Sequence, residues 1–376
     1  PDGSGWTNYY TQLGDKWVVD YQEDTTGARY DFSYAPDLRQ TIVTNRRGEK
    51  ETHFYNNQKF SEEIIDADNN YLRQVYDENN NLVAFTDKNG NTTTYVYDQN
   101  KNIIRITDPL GYDVNFSYNQ FNQVTSIIDK AGNTTRYNYD QNGNLTQISY
   151  PDGTQSSFTY NQYGLLISET DQKGNIIAYD YDEYGNIKAK TYPDRSKEYF
   201  EYDAVGRLIV RTDLRGGKWV YNYNNSDKVT HVINPLGEVT VFTYTYGGKV
   251  ASMTDILGRV TEYKYDLRGD LIAITDPLGQ KTEYAYDEEA NITRKVLAEK
   301  VTYLYEYDNL DRLITVVNQE TGITEGYTYD PEGNIIALIN PEGNSWSFTY
   351  DRLNRRVLET DPLGNTDRKS TRLNSS

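Results

Sequence analysis

Tyrosine recurs along this chain at a nearly constant interval. Successive members of the series are 21 residues apart, except that 22 residues separate Tyr307 from Tyr329. The series is Tyr34, Tyr55, Tyr76, Tyr97, Tyr118, Tyr139, Tyr160, Tyr181, Tyr202, Tyr223, Tyr244, Tyr265, Tyr286, Tyr307, Tyr329 and Tyr350. A fixed period of this length is the signature of a tandem repeat in which each unit is one small supersecondary element. Because one unit is too small to bury a core, neighbouring units must stabilise one another by stacking.

Two further positions of the unit predict short strands. In the 14 units that begin at Tyr76 and after, the residue two before the tyrosine is aromatic in 13, with Gln74 as the exception. A spacing of two places both rings on one face of a strand. Six residues after the tyrosine stands Leu, Ile or Val in 13 of the 14 units, which indicates the start of a second strand.

Turn residues separate these strands. Four residues after the tyrosine stands Gly, Asn or Asp in 12 of the 14 units, and such residues suit a left-handed backbone. Fourteen residues after it stands Gly in 11 of the 14, often closing Asp-Pro-Leu-Gly, the order typical of a type I turn. The 22-residue interval has its extra residue in this second turn, where Gly322 comes one place late. The sequence therefore predicts an all-β antiparallel meander of 21-residue repeats.

The composition suits half-wet sheet faces better than a dry helical core. Only 36% of the 376 residues are hydrophobic, and 37 residues are Tyr, whose ring is apolar but whose hydroxyl needs a partner. The net charge of −18 argues against nucleic acid and anionic membranes, since both are bound by clustered Lys and Arg. No apolar run approaches the roughly 18 residues of a membrane-spanning helix. The absence of Cys excludes disulfides and thiolate metal sites.

The repeat resembles a known family. The pattern aromatic-x-Tyr-Asp-x-x-Gly-Asn-Leu, followed by Asp-Pro-x-Gly, is similar to the YD repeat of the RHS family, most clearly at 139–145, 181–187 and 329–335. The resemblance extends from about Tyr34 to Gly364. It implies a strand ribbon that spirals into a partial hollow shell. In bacterial members such a shell usually encloses a toxic C-terminal domain, and in animal teneurins a similar shell belongs to an adhesion receptor.

Part of the family pattern has no counterpart in this sequence. RHS proteins carry a core-associated segment that plugs the shell and, in many members, cuts the chain by means of aspartates. The repeat here ends at Asp361-Pro362-Leu363-Gly364 without such a segment, and no toxin domain follows. The resemblance therefore does not carry encapsulation or self-cleavage over to this chain.

Three regions are predicted. Residues 1–33 form either an irregular N-terminal segment or one divergent repeat around Tyr10 and Gly14, and residues 34–366 form the YD/RHS repeat array. Residues 367–376 resemble a translated sequencing adapter, so we expect a non-native tail. Since the chain begins without Met and the repeat stops at this tail, we expect an internal piece of a longer reading frame.

No group of residues predicts catalysis, a cofactor or a metal site. The acidic turns at 66–70 and 77–81 resemble the first half of a calcium loop, but they lack its glycine and its distal glutamate. His53 and His231 occupy unrelated positions of the repeat. The Asp after the repeat tyrosine is interpreted as a turn residue. The residues that define the repeat are expected to be structural: Tyr76, Tyr97, Tyr118, Tyr139, Tyr160, Tyr181, Tyr202, Tyr223, Tyr265, Tyr286, Tyr307, Tyr329, Tyr350, Gly143, Gly185 and Gly333.

The leading hypothesis is a structural scaffold, a fragment of the shell of an RHS-type polymorphic toxin. The resemblance implies a bacterial protein that is secreted or at the cell surface, with the enclosed C-terminal toxin domain as its partner. It involves no nucleic acid and no membrane span. The alternative is a cell-surface adhesion module that binds carbohydrate, because exposed Tyr and Trp rings beside Asn and Asp form a plausible sugar platform. An enzyme ranks third.

Overall fold

The computed structural model describes residues 6–24 and 27–368, which contain 35 β-strands, one 3-10 turn at Pro36–Leu38 and no α-helix. No helix in these ranges is long and apolar enough to cross a membrane. The strands are β1 Thr7–Leu13, β2 Lys16–Glu23, β3 Arg29–Ala35, β4 Gln40–Thr44, β5 Lys50–Tyr55, β6 Ser61–Ile65, β7 Tyr71–Tyr76, β8 Leu82–Thr86, β9 Thr92–Tyr97, β10 Ile103–Thr107, β11 Asp113–Tyr118, β12 Val124–Ile128, β13 Thr134–Tyr139, β14 Leu145–Ser149, β15 Gln155–Tyr160, β16 Leu166–Thr170, β17 Ile176–Tyr181, β18 Ile187–Thr191, β19 Lys197–Tyr202, β20 Leu208–Thr212, β21 Lys218–Tyr223, β22 Val229–Ile233, β23 Val239–Tyr244, β24 Val250–Thr254, β25 Val260–Tyr265, β26 Leu271–Thr275, β27 Lys281–Tyr286, β28 Ile292–Val296, β29 Thr302–Tyr307, β30 Leu313–Asn318, β31 Thr324–Tyr329, β32 Ile335–Ile339, β33 Ser345–Tyr350, β34 Arg356–Thr360 and β35 Thr366–Arg368.

The strands coincide with the repeat. In a typical unit a six-residue strand ends at the repeat tyrosine, as β13 ends at Tyr139, and a five-residue strand begins six residues later, as β14 begins at Leu145. The pair is antiparallel, and its register shifts between Asn138 and Tyr139. Thr146 of β14 is the extra residue of this bulge, and the same shift recurs in front of most repeat tyrosines. The predicted fold class, an all-β antiparallel meander of YD repeats, is confirmed.

The described residues divide into two compact units. The first unit comprises Pro1–Tyr97, Ile106–Tyr112 and Glu262–Ser376, and the second comprises Asp98–Arg105 and Asp113–Thr261. In the first unit the strands pair antiparallel with their sequence neighbours from β2–β3 to β8–β9 and from β26–β27 to β34–β35. In the second they do so from β11–β12 to β23–β24.

First strands of the repeat, such as β9, have one half-buried face, whereas second strands such as β14 are half-buried at every position. In β9 the alternate residues ending at Tyr95 and Tyr97 are half-buried, whereas the intervening residues, such as Val96, are exposed. The repeat tyrosine and the aromatic residue two before it therefore lie on the same face. Among the described residues only Ala189 and Ala273 are buried apolar side chains, so the sheet has no dry core.

The two ends of the array extend beyond its regular part. β1 and β2 form a hairpin whose turn contains Gly14, and the register shifts between Tyr9 and Tyr10. At the other end β35 pairs with β34. The ladder thus includes Asp367 and Arg368, the first two residues of the segment predicted to be a non-native tail. Residues 369–376 of that segment lie outside the described residues.

Candidate functional site

The repeat tyrosines bond successive repeats to one another. The Tyr139 hydroxyl donates a hydrogen bond to the carbonyl of Val124, 15 residues earlier, at 2.8 Å. Val124 opens the second strand of the preceding repeat, so each such bond crosses from one repeat to the next. The corresponding bond, at 2.5–3.0 Å, is made by Tyr34, Tyr97, Tyr118, Tyr160, Tyr181, Tyr223, Tyr244, Tyr286, Tyr307, Tyr329 and Tyr350.

The remaining tyrosines of the predicted set occupy the same strand position. Tyr202 and Tyr265 end β19 and β25. Tyr76 instead donates to the Gln74 side chain at 3.1 Å, in the one unit whose aromatic column is interrupted. Burial raises the pKa of Tyr139 and Tyr160 above the ordinary value. These hydroxyls therefore stay protonated, and remain donors, at neutral pH.

The aspartate after the tyrosine organises the first turn. In the unit of Tyr139, Asp140 Oδ1 accepts the backbone N–H groups of Asn142 and Asn144, both at 2.9 Å, and Oδ2 accepts the Asn144 side-chain amide at 2.9 Å. The Asn144 side chain, followed by its backbone N–H, lowers the pKa of Asp140. A carboxylate that already accepts three hydrogen bonds is committed to holding the turn.

The residue four after the tyrosine has a left-handed backbone. Gly143, Gly185 and Gly333 have φ of +84°, +86° and +87°. Lys101 and Ala290, which depart from the Gly, Asn and Asp preference, still adopt φ of +66° and +69°. The turn geometry is therefore kept even where the residue type does not favour it.

The acidic turns considered for calcium use their carboxylates internally. Asp66 Oδ1 accepts the N–H groups of Asp68 and Asn70, and its Oδ2 lies 2.7 Å from Lys88 Nζ. Asp77 Oδ1 accepts the N–H of Asn81 at 2.8 Å. Over residues 6–24 and 27–368 no group of three or more His, Asp or Glu side chains is placed to hold a metal ion.

The two histidines have separate local partners. His53 Nε2 lies 2.7 Å from Glu51 Oε1 on the same strand. His231 Nδ1 lies 3.0 Å from the hydroxyl of its neighbour Thr230. Each imidazole is engaged by a side chain within two residues of it, so the two histidines share no partner among these contacts.

The two most buried carboxylates of the described chain are paired. The exposed fraction is 3% for Asp66 and 6% for Glu198. Burial would raise the pKa of Asp66, but hydrogen bonds from Lys88 and Asn70 outweigh it and lower the value. Arg211 holds the pKa of Glu198 down in the same way, and Tyr192 adds a hydrogen bond at 2.8 Å. Both groups are thus held as ionised structural partners.

Within the first unit, turns far apart in sequence pack edge to edge. Turns of the N-terminal strands contact turns of the C-terminal strands, and we call this line of contacts the seam. The Arg46 N–H donates to Glu289 Oε1 at 2.8 Å, and Arg47 Nη2 lies 2.6 Å from Asp311 Oδ1. The paired residues are separated by 243 and 264 positions.

The seam continues over two further pairs of turns. The Asn309 side chain donates to Asp68 Oδ1 at 3.1 Å, and Asn89 Nδ2 donates to Asp330 Oδ2 at 3.0 Å. The Lys88 N–H also donates to Glu332. In every case a second turn of an early repeat meets a first turn of a late repeat. The sequence pattern does not predict these residues, because a 21-residue period does not determine which distant turns come into contact.

These features define a class of protein: a tandem β-repeat protein whose units are closed by a tyrosine-aspartate turn and joined by a tyrosine ladder. The Teneurin YD-shell family model matches residues 8–192 and 177–255. The RHS Repeat model matches residues 265–296 and 329–366. Since the first match covers well over half of the chain, the chain belongs to the YD-shell family, as the sequence pattern predicted. No curated protein matches it in sequence.

Solved structures of similar fold include TcdB2-TccC3 proteins and a Tc holotoxin pore. The crystal structure of TcdB2-TccC3-TEV matches 94% of this chain with a TM-score of 0.79 and 15% identity, and that of TcdB2-TccC3 matches 95% with a TM-score of 0.72 and 15% identity. The Tc holotoxin pore of Photorhabdus luminescens matches 95% with a TM-score of 0.65 and 15% identity. This chain spans 22% to 24% of the length of those chains.

Proposed function

We propose that this chain is part of the wall of an RHS-type shell that encloses a C-terminal toxin domain of the same polypeptide. The observation that carries the proposal is the seam of the first unit. In a meander of 21-residue repeats each strand pairs only with its neighbours in sequence. The result is a long strip whose two edges are rows of turns. Within the first unit, edge contacts between turns about 240 to 265 residues apart join an early and a late part of that strip side by side.

The use of polar groups supports a structural role. Repeat tyrosines donate to carbonyls of neighbouring repeats, and turn aspartates accept backbone and side-chain donors. The most buried carboxylates are ion-paired. A catalytic site needs a group that is free to accept or release a proton or to attack a substrate. We accordingly propose that the chain has no catalytic activity of its own.

The solved relatives support a toxin setting. One matched structure is described as TcdB2-TccC3 without its hypervariable C-terminal region, which is consistent with a shell whose cargo varies. We propose that the present chain acts as an exported or surface-associated toxin component. The half-buried tyrosine face is the surface best suited to an enclosed polypeptide, because it offers flat rings at low cost in side-chain entropy.

Protease protection tests this function. A small, protease-sensitive reporter domain is appended to the full chain, and its cleavage is followed over time by mass spectrometry. If the array forms a shell wall, the appended reporter should be cleaved at least about tenfold more slowly than the free reporter. The control carries the same reporter on an unrelated β-repeat protein of equal length.

Cleavage at the free-reporter rate, while the array itself resists protease, would contradict the shell proposal. A glycan-binding screen of the full chain addresses the alternative. Saturable binding that is lost on Tyr184→Ala, without reporter protection, would favour the adhesion module instead, because the Tyr184 ring is 82% exposed on a turn.

A further inference from the structure

Three consecutive first turns near the N-terminus surround a cavity of about 720 Å³. They are the β1–β2 turn, the 3-10 turn after β3 and the turn after β5. The cavity lies at the first-turn edge of these repeats, whereas the N-terminal side of the seam is built from second turns. It is therefore a separate feature of the first unit.

The charged part of the lining of this cavity is mainly cationic. Lys16, Arg39 and Lys59 contribute side chains to it, and Asp15 is the single acidic residue in the lining. The whole chain has more acidic than basic residues, with 56 Asp and Glu and 38 Lys and Arg. The cavity has the opposite charge composition, with three cations and one acid. None of the three cations forms an ion pair in the described part of the chain, unlike Arg46 or Arg47 at the seam.

The geometry holds these cations together although they repel one another. Lys16 and Lys59 line the same cavity, and the neighbouring positive charge of Lys16 lowers the pKa of Lys59. Lys59 stands in the turn after β5 and has a left-handed backbone with φ +71°. Arg39 Nη1 donates to Asn57 Oδ1 at 2.9 Å, which ties the guanidinium to the turn that carries Lys59. A negative group between the three would relieve the repulsion.

The rest of the lining suits an organic body attached to that negative group. Tyr34 and Tyr55 offer rings, and Val18 and Pro36 offer apolar surface. The Tyr34 hydroxyl is bound to the Val19 carbonyl at 2.9 Å, so its ring is held in place. A volume of about 720 Å³ is in the range of small-molecule sites.

We propose that this cavity binds a small organic anion, with its carboxylate or phosphate between Lys16, Arg39 and Lys59 and its body against Tyr34 and Tyr55. The site goes beyond the shell function, because nothing in wall building requires clustered, unpaired cations. Its ligand class follows from the charge of the lining and the size of the cavity. Carboxylate and phosphate share the recognition chemistry, and the experiment separates them.

Isothermal titration of the full chain tests the proposal with three probes of similar size at constant ionic strength. Glucuronate supplies a carboxylate, glucose 6-phosphate supplies a phosphate, and glucose is the neutral control. We expect saturable 1:1 binding of at least one anion and none of glucose. The double variant Lys16→Gln, Lys59→Gln should weaken that binding by about tenfold or more, as expected for the loss of charged hydrogen bonds.

Lys101→Gln is the matched control, since Lys101 holds the position of its turn that Lys59 holds, four residues after the repeat tyrosine. This variant should bind like the unaltered chain. Thermal melting of each variant verifies folding, and because Lys16 and Lys59 are exposed and repel one another we expect no loss of stability. Absence of binding by both anions, or equal weakening in Lys101→Gln, would overturn the proposal.

Discussion

At Gly333 the requirement for a left-handed backbone can be tested apart from steric effects. Its φ is +87°, and an added Cβ would meet nothing nearer than Arg312 Cδ at 3.9 Å. Replacing it therefore tests backbone strain with little steric contribution. At Gly143 the added atom would also meet Gln123 Nε2 at 3.2 Å, so that site adds a movable side chain to the same backbone requirement.

We predict that Gly333→Val destabilises the protein by about 1 to 2 kcal/mol, the cost of a left-handed backbone for a side chain with Cβ branching. Gly333→Asn should cost less, because Asn354 holds the same place in the next repeat with φ +58°. Urea denaturation followed by circular dichroism gives the comparison. Equal stability of the Val and Asn variants would show that positive φ is not what the turn requires.

We predict that Tyr139→Phe destabilises the protein by about 1 kcal/mol, since it leaves the Val124 carbonyl without its side-chain donor while keeping the ring. Tyr184→Phe is the control, because the Tyr184 ring lies 82% exposed on a turn. Urea midpoints of the two variants should differ clearly. If both variants matched the unaltered chain, the tyrosine ladder would contribute nothing to stability.

Some features of single residues could be predicted from the sequence, and others could not. The columns of tyrosine, aromatic and glycine residues follow from spacing, and the left-handed glycines follow from turn chemistry. The partner of the tyrosine hydroxyl does not, because Val124 O lies in another repeat and the bond depends on how two repeats stack. The positive φ of Lys101 and Ala290 also could not be predicted from residue preference, because neither residue type favours it.

At the scale of the element, the first turn behaves as one polar unit. Its aspartate is held ionised by hydrogen bonds, as for Asp140 and Asp182, whose pKa values are lowered chiefly by the side chains of Asn144 and Asn186. A group whose folded pKa is depressed contributes stability that is present above its unfolded value and is lost as pH falls through the folded value. The repeated turn should therefore make the array sensitive to acid.

We predict that the urea midpoint stays level from neutral pH down to the ordinary aspartate value of 3.8 and falls below it. Asp140→Asn should remain folded, because Asn161 accepts the equivalent N–H groups one repeat later, and should show a shallower acid loss. Asp180→Asn, on an exposed strand position, is the control. An acid slope unchanged by Asp140→Asn would refute the role of this carboxylate.

The bounds of the strands could be predicted closely from the repeat, whereas the structure of the N-terminal segment could not. The aliphatic residue six after the tyrosine opens the second strand, and even Arg356, which breaks that preference, begins β34. The Tyr34 hydroxyl donates a hydrogen bond to the carbonyl of Val19, which lies in the segment 1–33. The two residues are 15 positions apart, as in the regular repeats. Gly14 follows Tyr10 by four places with φ +64°. We propose on these grounds that residues 1–33 contain one divergent repeat.

At the scale of the whole molecule, the seam is the feature that the sequence could not supply. Local period, turn chemistry and strand pairing concern neighbours within about 20 residues. The seam joins turns about 240 to 265 residues apart, and no local rule states which of them meet. Arg47 and Asp311 thus look like ordinary turn residues until the fold places them 2.6 Å apart.

The Arg47–Asp311 pair allows the seam to be tested by a double-mutant cycle. The pair is partly buried, with side-chain exposures of 22% and 42%, and Arg47 also contacts Glu49 at 3.0 Å. We predict a coupling energy of about 0.5 to 1 kcal/mol between Arg47→Ala and Asp311→Ala. Hydrogen exchange should then rise in both turns, 45–48 and 308–311, when either residue is changed, and the effect should weaken in high salt.

The pair Arg207–Asp227 is the matched control. Its Nη1 to Oδ1 distance is also 2.6 Å, but its members lie 20 residues apart, in adjacent turns of one edge. Arg207→Ala should raise exchange only in those adjacent turns, since no distant segment depends on this contact. If Arg47→Ala likewise left 308–311 unchanged, the Arg47–Asp311 contact would not hold the two edges together in solution. The wall proposed from the seam would then lose the support of this contact.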